Sequence, residues 1–171
     1  IIENSYSSAF YSYNVPRATI RNCVFRNNWG STDGSALLLE NTSLSIYNCY
    51  FFNNTFNNRL SDQTSVINLN KQSNATFYNC VLANTNTPSG FMIHSKMSTV
   101  QLVNCNIINN ISLRPVFVED NSKVNIANSI FYNNINSGNV DSTEIRFSNS
   151  DITLQKTITQ VYDYGNKALF S

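Results

Sequence analysis

The side chains best suited to chemistry are ten carboxylates, one histidine and four cysteines, and they are spread over the whole chain. Glycoside hydrolysis needs two carboxylates about 5–10 Å apart, one of them kept protonated. The sequence has no Asp-Asp pair and no Asp-x-Asp. Four acids lie in predicted loops or beyond the last repeat: Asp33, Asp62, Asp141 and Asp163. Three more lie at the end of a predicted strand or in its turn: Glu40, Glu119 and Asp120. We therefore predict no catalytic residue, no cofactor and no metal site.

His94 is the only histidine, and we expect it to be structural. Its predicted column holds Leu38, Leu69 and Val118, so the imidazole is expected to face the core. No carboxylate neighbours it in sequence, and an isolated inward histidine is more often a hydrogen-bonded structural residue than a base.

The four cysteines mark equivalent positions of a repeated segment. The segment at 18–28 returns at 44–54, 75–85, 100–110 and 124–134, with a weaker copy at 152–162. The shared column is Cys23, Cys49, Cys80, Cys105, Ser129 and Thr157, a position for a small and weakly polar side chain. The cysteines are too far apart for a zinc CxxC pair, so we expect buried thiols, with disulfides between adjacent repeats as the alternative.

Each copy alternates apolar and polar residues, the period of a strand with one buried face. An Asn interrupts the alternation, and Asn tolerates the left-handed backbone that a sharp corner needs. A third strand precedes each copy, at 36–39, 66–69, 91–94, 116–118 and 145–147. Three short strands per turn predict an all-β fold, a parallel β-helix of about six rungs with boundaries near 8–33, 34–63, 64–89, 90–113, 114–141 and 142–165. We interpret 1–171 as one segment of a longer chain.

Stacked rungs place equivalent asparagines about 4.8 Å apart, where each amide can donate to one neighbour and accept from the other. The predicted ladder is Asn22, Asn48, Asn79, Asn104 and Asn128. A second predicted ladder is Asn27, Asn53, Asn84, Asn109 and Asn133. We expect both ladders to face inward.

The Phe-x-Asn-Asn sequences at 25–28, 51–54 and 131–134 carry a resemblance to a known family. They resemble the right-handed parallel β-helix repeat of pectate-lyase-like proteins, and most closely the noncatalytic repeats of polymorphic outer membrane proteins. Gly-Ser-Ala-Leu at 34–37 is a near match to the Gly-Gly-Ala-Leu of those repeats. The resemblance implies a right-handed β-helix with a structural or adhesive role, as a rigid spacer or filament-forming rod.

Enzymes of this fold act on polysaccharides, so a carbohydrate-binding or polysaccharide-cleaving β-helix is the alternative function, and a viral or phage fibre segment is the third. The expected location is extracellular or at the cell surface, with the targeting signal outside this segment. Charged residues make up 12% and the net charge is +1, which disfavours nucleic acid as a partner. No apolar run approaches the ~20 residues of a membrane span.

The partners we expect are further rungs or copies of the same protein at the ends of the solenoid. The third strand is apolar on both faces, and we predict a contact stripe of Leu37, Ile93 and Phe117 for a glycan or another protein. Coverage of that face by loops 29–33 and 55–63 is the alternative. Among the four N-glycosylation sequons we predict use of Asn41, Asn74 and Asn110, and exclude Asn53 as inward-facing.

Overall fold

The structure is a computed structural model that describes residues 1–30, 33–56, 64–137, 145–159 and 168–170. Every paired strand in these ranges is parallel to its neighbour. The ranges contain no helix, and hence none long and apolar enough to cross a membrane. The all-β parallel solenoid predicted from the repeat is confirmed.

The strands in chain order are β1 (Ile2–Glu3), β2 (Phe10–Tyr13), β3 (Ala18–Arg21), β4 (Val24–Arg26), β5 (Trp29–Gly30), β6 (Leu37–Glu40), β7 (Ser43–Tyr47), β8 (Tyr50–Phe52), β9 (Thr55–Phe56), β10 (Ser65–Asn70), β11 (Asn74–Tyr78), β12 (Val81–Ala83), β13 (Asn86–Lys96), β14 (Thr99–Val103), β15 (Asn106–Ile108), β16 (Ile111–Glu119), β17 (Lys123–Ala127), β18 (Ile130–Tyr132), β19 (Ile135–Asn136), β20 (Ile145–Phe147), β21 (Asp151–Gln155) and β22 (Ala168–Phe170).

Three long sheets form the walls of the solenoid. Sheet A has the order β1-β4-β8-β12-β15-β18. Sheet B has the order β2-β6-β10-β13-β16, and both β19 and β20 pair with β16. Sheet C has the order β3-β7-β11-β14-β17-β21-β22, and β5 and β9 form a separate small sheet. The chain therefore runs from C to A to B in each rung.

The core consists of inward columns that repeat from rung to rung. In sheet C one column is Ile20, Ile46, Phe77, Leu102, Ile126 and Leu154, paired strand to strand. The rings of Phe25 and Phe51 stack with centroids 4.7 Å apart, and both are fully buried. Burial of each such side chain contributes about 1.5–3 kcal/mol, so hydrophobic stacking supplies most of the driving force.

The corners between sheets are made by residues in the left-handed conformation. The first corner, from C to A, has Asn22, Asn48, Asn79, Asn104 and Asn128 at φ between 49° and 55°. The second, from A to B, has Asn27, Asn53, Asn84, Asn109 and Asn133 at φ between 53° and 56°. The third, from B to C, is more varied: Asn14, Asn41, Lys71, Gln72, Met97, Asp120, Asn121 and Asn149. This conformation costs most L-residues about 1–2 kcal/mol but is tolerated by Asn, which explains the Asn-rich composition.

The predicted Asn ladders exist, although among the described residues no side-chain hydrogen bond joins Asn84 or Asn128 to its neighbours. The ladder side chains are exposed, so the expected inward direction is wrong. Asn48 Nδ2 donates to Asn22 Oδ1 at 3.3 Å, and Asn104 Nδ2 donates to Asn79 Oδ1 at 3.1 Å. In the second ladder Asn53 Nδ2 donates to Asn27 Oδ1 at 2.7 Å. The described side chains of both ladders are exposed to solvent. At each of these corners the left-handed residue points its side chain outward, and the next residue points inward.

The residue after each corner closes the backbone hydrogen bonds of the bend. Asn54 Oδ1 accepts the backbone N–H of Asn28 at 3.1 Å and its side-chain amide at 2.9 Å, while Asn54 Nδ2 donates to the Phe25 carbonyl at 2.9 Å. At the third corner Ser73 Oγ accepts the Thr42 N–H at 3.2 Å. A buried N–H left unpaired costs about 1–3 kcal/mol, so these inward side chains complete the rungs beside them. Thr85 is an exception, because its Oγ1 has no hydrogen-bond partner among the described residues.

Met97 departs from the corner pattern, and this departure has a measurable cost. Its φ is 48° and its side chain is 48% exposed, so no burial compensates for the left-handed backbone. We expect Met97→Asn to stabilise the fold by about 0.5–1 kcal/mol and to raise Tm by roughly 1–4 °C. Thermal unfolding followed by circular dichroism measures the shift.

Lys123→Asn is the matched control, because Lys123 is also exposed but does not have a positive φ. A rise in Tm for both variants, or for neither, would contradict the assignment of strain to the backbone of Met97.

Candidate functional site

The outer face of sheet B carries the histidine and the carboxylate nearest to it. The outward column across β6, β10, β13, β16 and β20 is Leu38, Asn68, His94, Phe117 and Arg146. His94 therefore faces away from the core, and its predicted column with Leu69 and Val118 is wrong, because those two residues pair with Ser95. Each strand side chain alternates between faces, so an error of one residue in register moved His94 to the wrong face.

His94 is held by a carboxylate from the next rung. His94 Nε2 lies 3.1 Å from Glu119 Oε1, and Lys96 Nζ lies 3.5 Å from the same oxygen and 3.2 Å from Asp120 Oδ2. The imidazole is 2% exposed. Burial lowers the pKa of His94, although Glu119 partly opposes the shift. The neutral ring therefore donates its Nε2–H to Glu119 and presents an Nδ1 lone pair.

Aromatic rings enclose the imidazole on the outer face. The Phe117 ring is nearly parallel to His94, with centroids 5.5 Å apart, and the Phe91 ring stacks on Phe117 at 4.7 Å. Asn68 is 1% exposed, and among the described residues neither atom of its amide has a hydrogen-bond partner. The Nδ1 of His94 also has none within the described ranges. This cluster of Asn68, Phe91, His94, Phe117 and Glu119 is the outer-face cluster.

Phe56 packs against Gly90, just before the part of β13 that carries His94. The ring of Phe56 packs so closely on Gly90 that a Cβ there would lie 2.1 Å from Phe56 Cζ and 2.5 Å from the Thr64 carbonyl oxygen. Phe56 itself is 8% exposed, and its strand β9 pairs with β5. Residues 31, 32 and 57–63 lie outside the described ranges, so the loop-coverage alternative stays a prediction.

A histidine hydrogen-bonded to a carboxylate can transfer protons, but the burial of His94 limits its use as a base. A general base must reach the proton that it abstracts, within about 2.6–3.2 Å or through one water. His94 is fully enclosed. Elsewhere, hydrogen bonds from Arg26 and Lys71 lower the pKa of Glu3 and Glu40, respectively. A glycosidase general acid needs the opposite shift, and Asp33 shows it, because burial raises its pKa.

The predicted contact stripe does not exist as one surface. Leu37 and Ile93 are on the inner face of sheet B, both fully buried and both paired with Ile67. Phe117 is on the outer face and pairs with His94. The third strand is apolar on both faces, so its sequence does not show which side chains point inward. The predicted stripe therefore combined residues from opposite faces of sheet B.

The sequons differ in accessibility. Asn110 is fully buried, and its Nδ2 donates to the Leu82 carbonyl at 3.0 Å and to Asn134 Oδ1 at 2.9 Å, so the prediction of a glycan there is wrong. Asn41 and Asn74 are exposed and stay predictions. Asn53 is exposed rather than inward-facing, which removes the reason for excluding it.

The small-residue column lies inside the first corner. Cys49, Cys80, Cys105 and Ser129 are buried, and Cys23 and Thr157 at the two ends are half-buried. All four cysteines are free thiols, and burial raises the pKa of Cys49, which makes it a poor nucleophile. Within the described ranges no three His, Cys, Asp or Glu residues lie close enough together to hold a metal ion.

The outer-face cluster predicts a pH dependence of stability. The pKa of His94 is lower in the folded state than in the unfolded state, so its neutral form favours folding. Its contribution to the stability of the fold is fully present above the unfolded pKa of about 6.5 and is lost as pH falls through the folded-state pKa. Chemical denaturation should therefore show that the wild-type chain loses more stability than His94→Gln between pH 7.5 and pH 5. Parallel curves for the two chains would show that His94 does not titrate with unfolding.

Comparison with known proteins gives one match. A family model described as a right-handed β-helix region matches residues 1–112. Searches of the curated proteins and of the solved structures found no significant match. The nearer likeness to polymorphic outer membrane protein repeats stays a prediction. The matched region covers most of the chain and agrees with the three parallel sheets and their stacked corners, so the chain belongs to the right-handed β-helix family, which includes both enzymes and non-enzymes.

Proposed function

We propose that this β-helix is a noncatalytic structural or adhesive segment of a larger extracellular or cell-surface protein, where it acts as a rigid rod. The observation that carries the proposal is the hydroxyl ladder of the third corner: Val15 N–H to Thr42, Thr42 N–H to Ser73, Ser73 N–H to Ser98, Ser98 N–H to Ser122 and Ser122 N–H to Ser150, each at 3.0–3.3 Å. It runs without a break across the rungs.

Such a ladder stiffens the solenoid along its axis. Each hydroxyl accepts from the preceding rung and donates within its own, as Ser98 Oγ does to the Lys96 carbonyl at 2.8 Å. Bending at a rung would separate these groups in a buried corner and leave them unpaired, at about 1–3 kcal/mol each. The Asn ladder of the first corner, which is hydrogen-bonded from Asn22 to Asn104, adds resistance to bending on that side, which is the property that a spacer requires.

The electrostatics of Glu3 and Glu40 agree with a noncatalytic role, whereas burial raises the pKa of Asp33. Glu3, Glu40 and Glu119 each lie in an ion pair, with Arg26, Lys71 and Lys96, respectively. The hydrogen bond from the partner lowers the pKa of Glu3 and of Glu40, so these two carboxylates stay ionised. The partners that a rod implies are further rungs or copies of the chain that continue the sheets along the axis, and glycans at Asn41 or Asn74.

Carbohydrate binding or cleavage is the second candidate, and the outer-face cluster is the observation that favours it. A histidine bonded to Glu119 beside the rings of Phe91 and Phe117 combines a proton-transfer group with surfaces on which a sugar could stack. Reaching His94 would require the cover around it to open, because the imidazole is 2% exposed.

A product assay distinguishes the two candidates. The purified chain is incubated with neutral and acidic polysaccharides, with and without Ca²⁺, and new reducing ends and unsaturated sugar products are measured. We expect no product above the background of a chain carrying Glu119→Gln. Product formed by the wild-type chain and abolished in both Glu119→Gln and His94→Gln would overturn the noncatalytic proposal. Asn125→Gln is the matched control on the exposed face of sheet C.

A further inference from the structure

The third corner, between sheets B and C, changes in length from rung to rung. One left-handed residue, Met97, turns the chain between β13 and β14, whereas pairs of left-handed residues turn it in the rungs on either side, at 71–72 and 120–121. The hydroxyl group after the corner shows the same difference: Ser98 Oγ donates to a carbonyl two residues earlier, and Ser73 Oγ to one three residues earlier. The corner at Met97 is therefore one residue shorter than both of its neighbours.

The short corner leaves a recess on the surface between the two longer ones. The recess has a volume of about 410 Å³, and three successive rungs contribute side chains to its lining: Gln72, Asn74, Met97, Thr99, Asn121 and Lys123. Amide, hydroxyl and ammonium groups thus surround one apolar side chain, that of Met97. Sites of about 300–1,000 Å³ hold small ligands, so this recess has room for one sugar ring rather than for a long chain.

The fold does not account for a methionine in the recess. The side chain of Met97 is 48% exposed, and its backbone has a φ of 48°, so it gains little burial at a position that favours Asn. A flexible apolar side chain on the floor of a polar recess is complementary to a ligand that has polar groups around its edge and an apolar group of its own.

Asn74 is the lining residue that can carry such a ligand covalently. Residues 74–76, Asn-Ala-Thr, form an N-glycosylation sequon. Asn74 is exposed, and no side-chain hydrogen bond within the described ranges holds its amide, whereas Asn41 Nδ2 donates to Asn14 Oδ1 at 2.8 Å. A sugar attached to Asn74 starts inside the recess, because the side chain lines it. N-acetylglucosamine, the first sugar of such a glycan, has hydroxyl and amide groups for the polar lining and a methyl group for Met97.

We propose that Asn74 carries an N-linked glycan whose first N-acetylglucosamine is seated in this recess, with its acetyl methyl group on Met97 and its polar groups between Gln72 and Asn121. In the modification, Asn74 Nδ2 forms a bond to the anomeric carbon of the sugar, the bond from that carbon to the polyprenyl diphosphate of the oligosaccharide donor breaks, and the amide releases one proton. The inference rests on the proposed extracellular or cell-surface location and does not depend on the noncatalytic role.

The test is a double-mutant cycle on the whole chain, produced in a eukaryotic secretory host and trimmed to one N-acetylglucosamine per site. The four chains are the wild type, Asn74→Gln, Met97→Ser and the double variant, and mass spectrometry measures the sugar on Asn74. Met97→Ser removes the apolar side chain and creates no new sequon. We expect Asn74→Gln to lower Tm by about 1–4 °C in the wild-type background, and by less than half as much in the Met97→Ser background, because the sugar has then lost its apolar contact.

The matched control is the same four chains produced in a bacterial cytoplasm, where no sugar is attached and the two changes in Tm should add. Thr76→Ala blocks the sequon while keeping Asn74, and it serves as the second variant if Asn74→Gln folds poorly. A secreted wild-type chain without sugar on Asn74 overturns the proposal, and so does a sugar whose effect on Tm is the same with and without Met97. Because the host supplies the secretory route, these results test the recess separately from the natural location. Polysaccharide product in the assay described above would overturn the noncatalytic role and leave this inference unchanged.

Discussion

The backbone at the corners imposes the constraint that the remaining structure obeys. Each rung turns sharply between sheets, and the residue after the turn has an N–H that points along the axis inside the wall. The equivalent side chain of the next rung accepts that N–H, as Asn54 does for Asn28 and Ser73 does for Thr42. Corners closed in this way depend on the rung beside them, and a rung removed from the stack would leave their buried polar groups unpaired.

This constraint explains why the sequence repeats, and it distinguishes residues that the fold requires from residues that it does not require. Asn recurs because it tolerates a left-handed backbone, and Cys, Ser, Thr or a second Asn follows because an inward acceptor is needed. Positions that depart from this pattern, such as Met97, and buried polar groups outside the corners, such as Asn68 and His94, are not explained by the fold. They are the places where selection for something other than folding is to be sought.

The sequence predicted the repeat, the parallel strands and the corner asparagines, because each leaves a periodic signal. It did not predict which way the side chains point at the corners. A turn of one residue reverses which side chains face inward, and Asn53 and Asn54 are the same residue type, so the sequence could not tell them apart. It also misplaced His94 and the stripe of Leu37, Ile93 and Phe117, because a strand apolar on both faces has no informative alternation. The contact between His94 and Glu119 was invisible in sequence, since 25 residues separate them and only the register of β13 with β16 brings them together.

Native-state hydrogen exchange at the corner amides tests the central claim most directly. If rung-to-rung ladders close the bends, the N–H groups of Asn28, Thr42, Ser98 and Cys105 exchange as slowly as those in the middle of the strands, and Ser122→Ala selectively speeds exchange at Ser98. Corner amides that exchange at the rate of an unstructured chain while the strand amides stay protected would contradict the account.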